Sequence, residues 1–459
     1  MIHCFEQGGI SLVLDVASGA VHALDPVAYR ICTLLQPPLA KQCPDNILSA
    51  FDAGQEEAVR EAYAELYDLY ENGLLFAEEE EIPAALIKPQ NIPVKALCLH
   101  VSHDCNLRCT YCFAQTGDFG TVRSLMDKET ARKAIDFVIQ SSQNRHNIEV
   151  DFFGGEPLMA MDVVRDTVAY AREQERIHNK SFRFTITTNG VLLDDDTIDY
   201  LNREMSNIVL SLDGRKKVND DMRKTVTGRG SYDVVLPKMQ KLVSQRDPEL
   251  DYYVRGTYTS KNLDFTQDVL ALYSAGFTQI SVEPVSAPDG CGYEIKPSDL
   301  PRIREEYRAL AEEIRKMRQE GKPINFFHFN VDLEQGPCVI KRLRGCGAGC
   351  EYVAITPEGD IYPCHQFVGE KQYLMGNIRE GTFSRQQAAE FAGVNVYTRP
   401  ACRDCWAKFY CSGGCSAANY HSHGVIDQSY EIGCELERMR LECAIYLAAK
   451  ANMEEMEEN

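Results

Sequence analysis

A chain of 459 residues is long enough for two to four domains of ordinary size. With 44% hydrophobic and 25% charged residues it has the composition of a folded globular protein, which excludes a disordered or collagen-like chain. The net charge of −20 repels phosphate backbones and argues against a nucleic-acid partner. No apolar run reaches the roughly 18 residues of a membrane helix, and Met1-Ile2-His3-Cys4 has no basic or apolar signal region, so a cytoplasmic protein without a membrane partner is expected.

Residues 1–90 read as a small separate domain with its linker. Ile10–Val16 and Ala20–Leu24 are strand candidates joined by the Ser18-Gly19 turn. Asp25-Pro26 predicts a helix start, with Asp as N-cap and Pro at the first position, and Pro37-Pro38 ends that helix. A second helix is predicted over about 55–72, with Ala62, Leu66, Leu69 and Tyr70 near one face and Asn72-Gly73 closing it. Leu74–Phe76 reads as a last short strand. The acidic run Glu78–Glu81, followed by Pro83, Pro89 and Pro93, reads as the linker.

Residues 91–334 alternate strand and helix. Strands are predicted at 95–101, 148–153, 182–188, 207–212, 252–259 and 279–285. Helices are predicted at 127–142, 158–177, 194–204, 231–245, 264–275 and 298–319. The stripe Ala131, Ala134, Ile135, Val138 and Ile139 has helical period. Six such units imply a parallel sheet and an open, partial barrel. Residues 335–440 are rich in Gly and Cys and poor in apolar periodicity, so metal is expected to organise them. Residues 441–459 read as a helical tail ending in an acidic, solvated stretch.

The eighteen cysteines are the chain's outlier. At about 4% of the residues they fall below the roughly 8–10% of a disulfide scaffold. They are clustered, which in a reducing compartment points to metal ligands or catalytic groups. Cys105-x3-Cys109-x2-Cys112 follows the first barrel strand, where parallel barrels place their chemistry. Three local thiolates on a four-iron cubane leave one iron open to a small molecule. By spacing alone a zinc loop with a distant fourth ligand fits equally well; placement at the first strand of a barrel lowers that alternative. Small or polar motifs end the next strands: Gly154-Gly155-Glu156-Pro157, Thr187-Thr188-Asn189-Gly190 and Ser211-Leu212-Asp213-Gly214. A second group of cysteines comprises Cys346, Cys350 and Cys364, then Cys402-x2-Cys405-x5-Cys411-x3-Cys415, and finally Cys434.

C-x3-C-x-aromatic-C after the first strand of a partial barrel resembles the radical S-adenosylmethionine (SAM) superfamily. The resemblance implies a 4Fe–4S cluster on Cys105, Cys109 and Cys112, with SAM on the open iron and cleaved to a 5′-deoxyadenosyl radical. It implies cofactor contacts from Gly154, Gly155, Glu156, Asn189, Ser211, Asp213 and Arg223, with Arg255 reaching cofactor or substrate. The later cysteines resemble the SPASM extension, which implies two auxiliary 4Fe–4S clusters. Cys402, Cys405, Cys411 and Cys434 would hold the outer one, and Cys346, Cys364 and Cys415 the inner one. The inner cluster's fourth position stays open between Cys350, Cys338 and a substrate thiolate. His365 is expected to donate a hydrogen bond from behind Cys364, and Cys291 to approach the site from the loop after the sixth strand. Cys4, Cys32, Cys43, Cys98 and Cys443 are expected to be small hydrophobes or inert thiols.

The N-terminal domain resembles the winged-helix-like recognition domain of peptide maturases, which binds a leader as an added strand. Met1-Ile2-His3, Leu14-Asp15-Val16 and Tyr362-Pro363-Cys364-His365-Gln366-Phe367 resemble the maturases of SCIFF peptides, a sactipeptide group. That implies a thioether from a cysteine sulfur to an acceptor α-carbon in a Cys-rich precursor, with a low-potential flavodoxin or ferredoxin as electron donor. The alternative is a SPASM dehydrogenase of the anaerobic, formylglycine-forming sulfatase-maturing type. A zinc-organised scaffold protein is a third reading. The catalytic base is not apparent.

Overall fold

The computed structural model describes residues 1–333 and 339–458. The chain opens with a three-stranded antiparallel sheet, β1 (Ile2–Gln7), β2 (Ile10–Asp15) and β3 (Val21–Leu24), in that order. Strand β1 is not among the strands expected from the sequence. Asp25 caps the helix Pro26–Leu34 as expected, its carboxylate accepting from the Val27 and Ala28 amides at 2.7 and 3.1 Å. That helix and Glu56–Glu71 close a small core around Val13, Ile31, Tyr63 and Leu66. Leu74–Phe76 is not a strand. Leu75 plugs the core while Phe76 turns into the left-handed region at φ 52°, which breaks extended geometry. The acidic linker is tethered at Glu79, which accepts from Tyr397 and Lys408, both at 2.6 Å.

The central sheet holds β4 (Ala96–Ser102), β5 (Asn147–Gly154), β6 (Ser181–Thr188), β7 (Asn207–Ser211), β8 (Asp251–Tyr258) and β9 (Gln279–Pro284), all parallel. A short β10 (Asn325–Phe326) extends it beyond β9. Each predicted strand and helix of 91–334 is present within a few residues, because apolar strands and amphipathic crossover helices specify each other's burial. The stripe Ala131, Ala134, Ile135, Val138 and Ile139 is buried against the sheet. The polar helix Lys216–Met222 was not anticipated.

The Cys-rich region continues the same sheet. Strand β11 (Tyr352–Ile355) pairs parallel with β4, and β12 (Asp360–Tyr362) and β13 (Gly376–Asn377) follow antiparallel. The full order is β10-β9-β8-β7-β6-β5-β4-β11-β12-β13. The last helix, Glu431–Glu458, starts earlier than expected and carries Cys434. It packs on the helix Leu300–Gln319, with Arg304 bonded to Glu442 (3.1 Å) and Arg315 to Glu454 (3.3 Å), so the acidic end is partly engaged. It also anchors the N-terminal sheet. His3 stacks on Trp406, ring centroids 3.8 Å apart at 4°, and its Nε2 lies 3.2 Å from Glu442.

Candidate active site

The loop 103–118 leaves β4 at its C-terminal end and carries Cys105, Cys109 and Cys112. Backbone bonds fix it to the segment after β7: the Arg108 amide donates to Lys224 O (2.6 Å) and the Thr110 amide to Met222 O (2.8 Å). The three thiols then line one wall of a cavity of about 220 Å³, and the ends of the neighbouring strands line the other. Burial raises Cys105 to about 12 and Cys109 to about 11, and each thiol's charge adds to its neighbour's. A cationic centre bound there would reverse that tendency and hold the thiolates.

Gly154 ends β5, Gly155 follows it, and packing demands glycine at both positions. A Cβ on Gly154, at φ 124°, would lie 2.1 Å from Ser102 O, and one on Gly155 would lie 2.2 Å from Asp104 O. The close approach is to the cysteine loop itself, and both glycines also line the cavity. Glu156 is 1% exposed. Its carboxylate accepts from the Thr188 hydroxyl (2.7 Å) and the Leu158 and Asn189 amides (3.0 and 2.8 Å), clamping the end of β6. Burial outweighs those bonds and lifts its carboxyl to about 7. Asn189 continues the clamp, donating to Asn106 Oδ1 at 2.8 Å, and its Nδ2 lies 3.7 Å from Cys105 Sγ.

Asp213 does not line the cavity. It is 0% exposed, beneath the wall, and accepts from Tyr111 (2.6 and 2.8 Å), Arg223 Nε (3.0 Å) and the Thr257 amide (3.1 Å). It holds Tyr111 of the cysteine loop and Arg223, whose guanidinium carbon lies 5.5 Å from the Tyr111 ring centroid. Arg223 and Ser211 do line the cavity. Arg255 also lines it, paired with Glu283. Burial would raise Glu283, but the Arg255 guanidinium outweighs it and holds the carboxyl at about 2. His328 backs this pair. Arg440 donates to its Nδ1 (3.2 Å), so Nε2 carries the proton toward Ser281 Oγ (3.1 Å). Glu283, Thr257 and His328 were missed by sequence reading. Glu283 and Thr257 lie inside their strands rather than in a turn motif, and alternation alone marks their inward face.

The SPASM-like cysteines fall into two groups. Cys402, Cys405, Cys411 and Cys434 lie within reach of one another's charge. Cys364, Cys346 and Cys415 form the other set. Cys350 is buried, its thiol on Gly347 O at 3.3 Å with Cys346 only a weak neighbour, and Cys338 lies outside the described residues. His365 forms part of the cavity wall, with Nδ1 3.3 Å from the Tyr352 hydroxyl, and bridges the barrel to the Cys-rich region. Cys291 donates to Glu294 at 3.3 Å and does not line the cavity, while the next side chain but one, Tyr293, donates to Thr110 O at 3.3 Å. Cys32, Cys98 and Cys443 are buried, as expected of small hydrophobes.

The donor set fits an iron–sulfur centre and an amino-acid-bearing ligand. Three thiols face a glycine-lined cradle, and the buried Asn106 Nδ2, beside Cys105, has no partner of its own. Among the described residues no three Cys, His, Asp or Glu side chains converge on a single-ion site. Comparison with known proteins agrees. Residues 99–246 match the radical SAM superfamily, and residues 346–406 match the SPASM iron–sulfur cluster-binding domain. The chain thus carries a radical SAM domain and a SPASM domain. These two domains imply 4Fe–4S clusters and bound SAM.

The chain is similar to a cysteine-type anaerobic sulfatase-maturating enzyme of Clostridium novyi. That relative is 24% identical over 334 residues, 68% of this chain and 85% of its own length. Mycofactocin maturase MftC of Mycolicibacterium smegmatis is 26% identical over 334 residues, 71% of this chain and 79% of its own. Among solved structures, anSMEcpe with bound AdoMet superposes with TM-score 0.64 at 20% identity, covering 78% of this chain and 99% of that one. Streptococcus suis SuiB bound to precursor peptide SuiA superposes with TM-score 0.54 at 17% identity, covering 93% and 97%. No helix among the described residues is long and apolar enough to cross a membrane.

Proposed function

We propose that this radical SAM protein matures a ribosomally made, Cys-rich peptide by joining a cysteine sulfur to the α-carbon of an acceptor residue. The observation that carries the reading is the N-terminal sheet. Among the described residues strand β3 pairs only with β2, leaving its other edge free of strand partners. The domain is also fixed to the rest of the chain through His3, Trp406 and Glu442. An open edge beside the catalytic domain suits a leader held as an added strand, with main-chain bonds giving affinity. The likeness to SuiB, solved with a precursor peptide, extends over 93% of this chain and so supports a peptide substrate. Bound SAM on a reduced cluster supplies a primary carbon radical that abstracts hydrogen.

The chain's own residues then orient and exclude. Cys105, Cys109 and Cys112 would hold the SAM-binding cluster, and the two SPASM sets would hold two more, three in all. Gly154, Gly155, Asn189, Ser211 and Arg223 would contact SAM. Glu156, which also lines the cavity, would contact SAM and clamps Asn189, while Asp213 holds Arg223 from below the wall. The Arg255–Glu283 pair lines the cavity as an ion pair and would orient polar groups of the substrate. Phe113, Phe153 and His365 close one side of the cavity with packed rings.

A second reading, sulfatase-type oxidation of a cysteine to formylglycine, is favoured by the Clostridium relatives. Reconstituted protein incubated with SAM, a reductant and a Cys-rich peptide bearing a leader separates the two. A thioether removes two hydrogens and keeps the sulfur. Formylglycine loses the sulfur and is expected with a sulfatase peptide instead.

A further inference from the structure

Between the two SPASM cysteine sets lies one buried cation. Arg399 is 2% exposed. Its guanidinium donates to Gly413 O, to Ser416 Oγ (3.0 Å) and to Ile426 O (3.0 Å). Gly413 lies between Cys411 of one set and Cys415 of the other. A Cβ there would stand 2.7 Å from Arg399 Nη1, so the loop joining the sets is wrapped directly on the guanidinium. Arg399 Nε is buried with no hydrogen-bond partner.

All three acceptors are neutral. Among the described residues Arg399 forms no ion pair with a carboxylate. The charged groups that act on it are thiols: Cys402, Cys411 and Cys434 of the outer set and Cys415 of the inner one. A guanidinium removed from water without an acid partner costs several kcal/mol. Neutral donors would satisfy two carbonyls and a hydroxyl at lower cost. What requires the positive charge is therefore the anionic groups on either side.

We propose that Arg399 is the shared counter-ion of the two auxiliary clusters and raises the reduction potential of both. Each cluster gains one negative charge when it takes up one electron, with no bond made or broken. A fixed cation between them stabilises that reduced state at both sites, net charge being one of the levers on cluster potential. The two clusters thereby become better acceptors for the electron that bond formation releases. The inference rests on the presence of two auxiliary clusters and not on which peptide is modified.

The test is a redox titration of the reconstituted holoenzyme, followed by electron paramagnetic resonance, after iron content confirms that all clusters are present. In Arg399→Gln both auxiliary midpoints fall by at least tenfold in the reduction equilibrium, about 59 mV for one electron. The SAM-binding cluster keeps its midpoint, and Arg399→Lys, which retains the charge, keeps all three. Unchanged auxiliary midpoints in a fully loaded Arg399→Gln overturn the proposal, as does an equal fall in Arg399→Lys. If Arg399→Gln takes up too little iron, Arg399→Lys and Ser416→Ala decide. A tenfold fall in the auxiliary midpoints of either charge-retaining variant refutes the counter-ion. Wild type lacking the auxiliary iron would sink the three-cluster reading instead.

Discussion

Asp213 should be the most sensitive residue that never touches the cavity. It is wholly buried and serves four donor contacts from Tyr111, Arg223 and the Thr257 amide. Arg223 has 11% of its side chain exposed, so removing its partner leaves a nearly buried charge. Breaking a buried pair from one side costs about 3–5 kcal/mol. At about 2–4 °C per kcal/mol for a domain of this size, Asp213→Ala lowers the apparent melting temperature by roughly 6–20 °C. Because cluster loss makes unfolding irreversible, the comparison is made at one scan rate. Replacing both partners, Asp213→Leu with Arg223→Met, recovers much of the loss relative to Asp213→Leu alone, since no charge is then stranded. Tyr111→Phe costs about 1 kcal/mol, one net hydrogen bond. All of these variants lose SAM cleavage, because Tyr111 sets the Cys109–Cys112 turn. An Asp213→Ala protein that melts within 2 °C of wild type, at roughly the scale of 1 kcal/mol or less, and cleaves SAM normally would refute the anchoring role.

Three further outcomes are expected. Gly155→Ala pushes a methyl against Asp104 O, costs about 1–3 kcal/mol and abolishes SAM cleavage; wild-type cleavage would contradict the cradle. His328 is held neutral, its value lowered to about 3 chiefly by burial and then by Arg440. Below about pH 6.5 the unfolded chain binds a proton that the folded chain refuses, so stability falls as pH drops from 6.5 toward 3. His328→Asn flattens that slope by about 1.4 kcal/mol per pH unit between pH 6 and 5 in denaturant titrations, and an unchanged slope would count against it. His3→Ala removes the Trp406 stack, worth about 0.5–1.5 kcal/mol, and exposes the 77–93 linker to limited proteolysis; equal cleavage rates would show that the stack does not dock the domain.

The barrel was legible in the sequence because its strands and crossover helices carry different periods, and two of the helix starts are marked by the caps Asp127 and Asp194. The helix Lys216–Met222 escaped because it offers only Val218 and Met222 as apolar positions. Leu74–Phe76 misled because three apolar residues in a row look extended, while one of them adopts a left-handed turn. The pairing of β11 with β4 had no local signal, since which sheet edge a distant strand joins is decided by the whole fold. The cysteine sets were readable from spacing and resemblance. The inward turn of Asp213 and the clamp made by Glu156 were not, because a polar residue after a strand reads the same whether it faces a cavity or lies beneath it.

The proposed reaction is tested most directly by an isotope. A Cys-rich precursor with its leader, deuterated at the acceptor α-carbon, is incubated with SAM and the reduced enzyme. The account predicts one deuterium in the 5′-deoxyadenosine and a product two mass units lighter per link, counted from unlabelled peptide. Deuterium appearing only when the cysteine β-carbon is labelled, with loss of sulfur from the peptide, would contradict it and assign the enzyme to formylglycine chemistry.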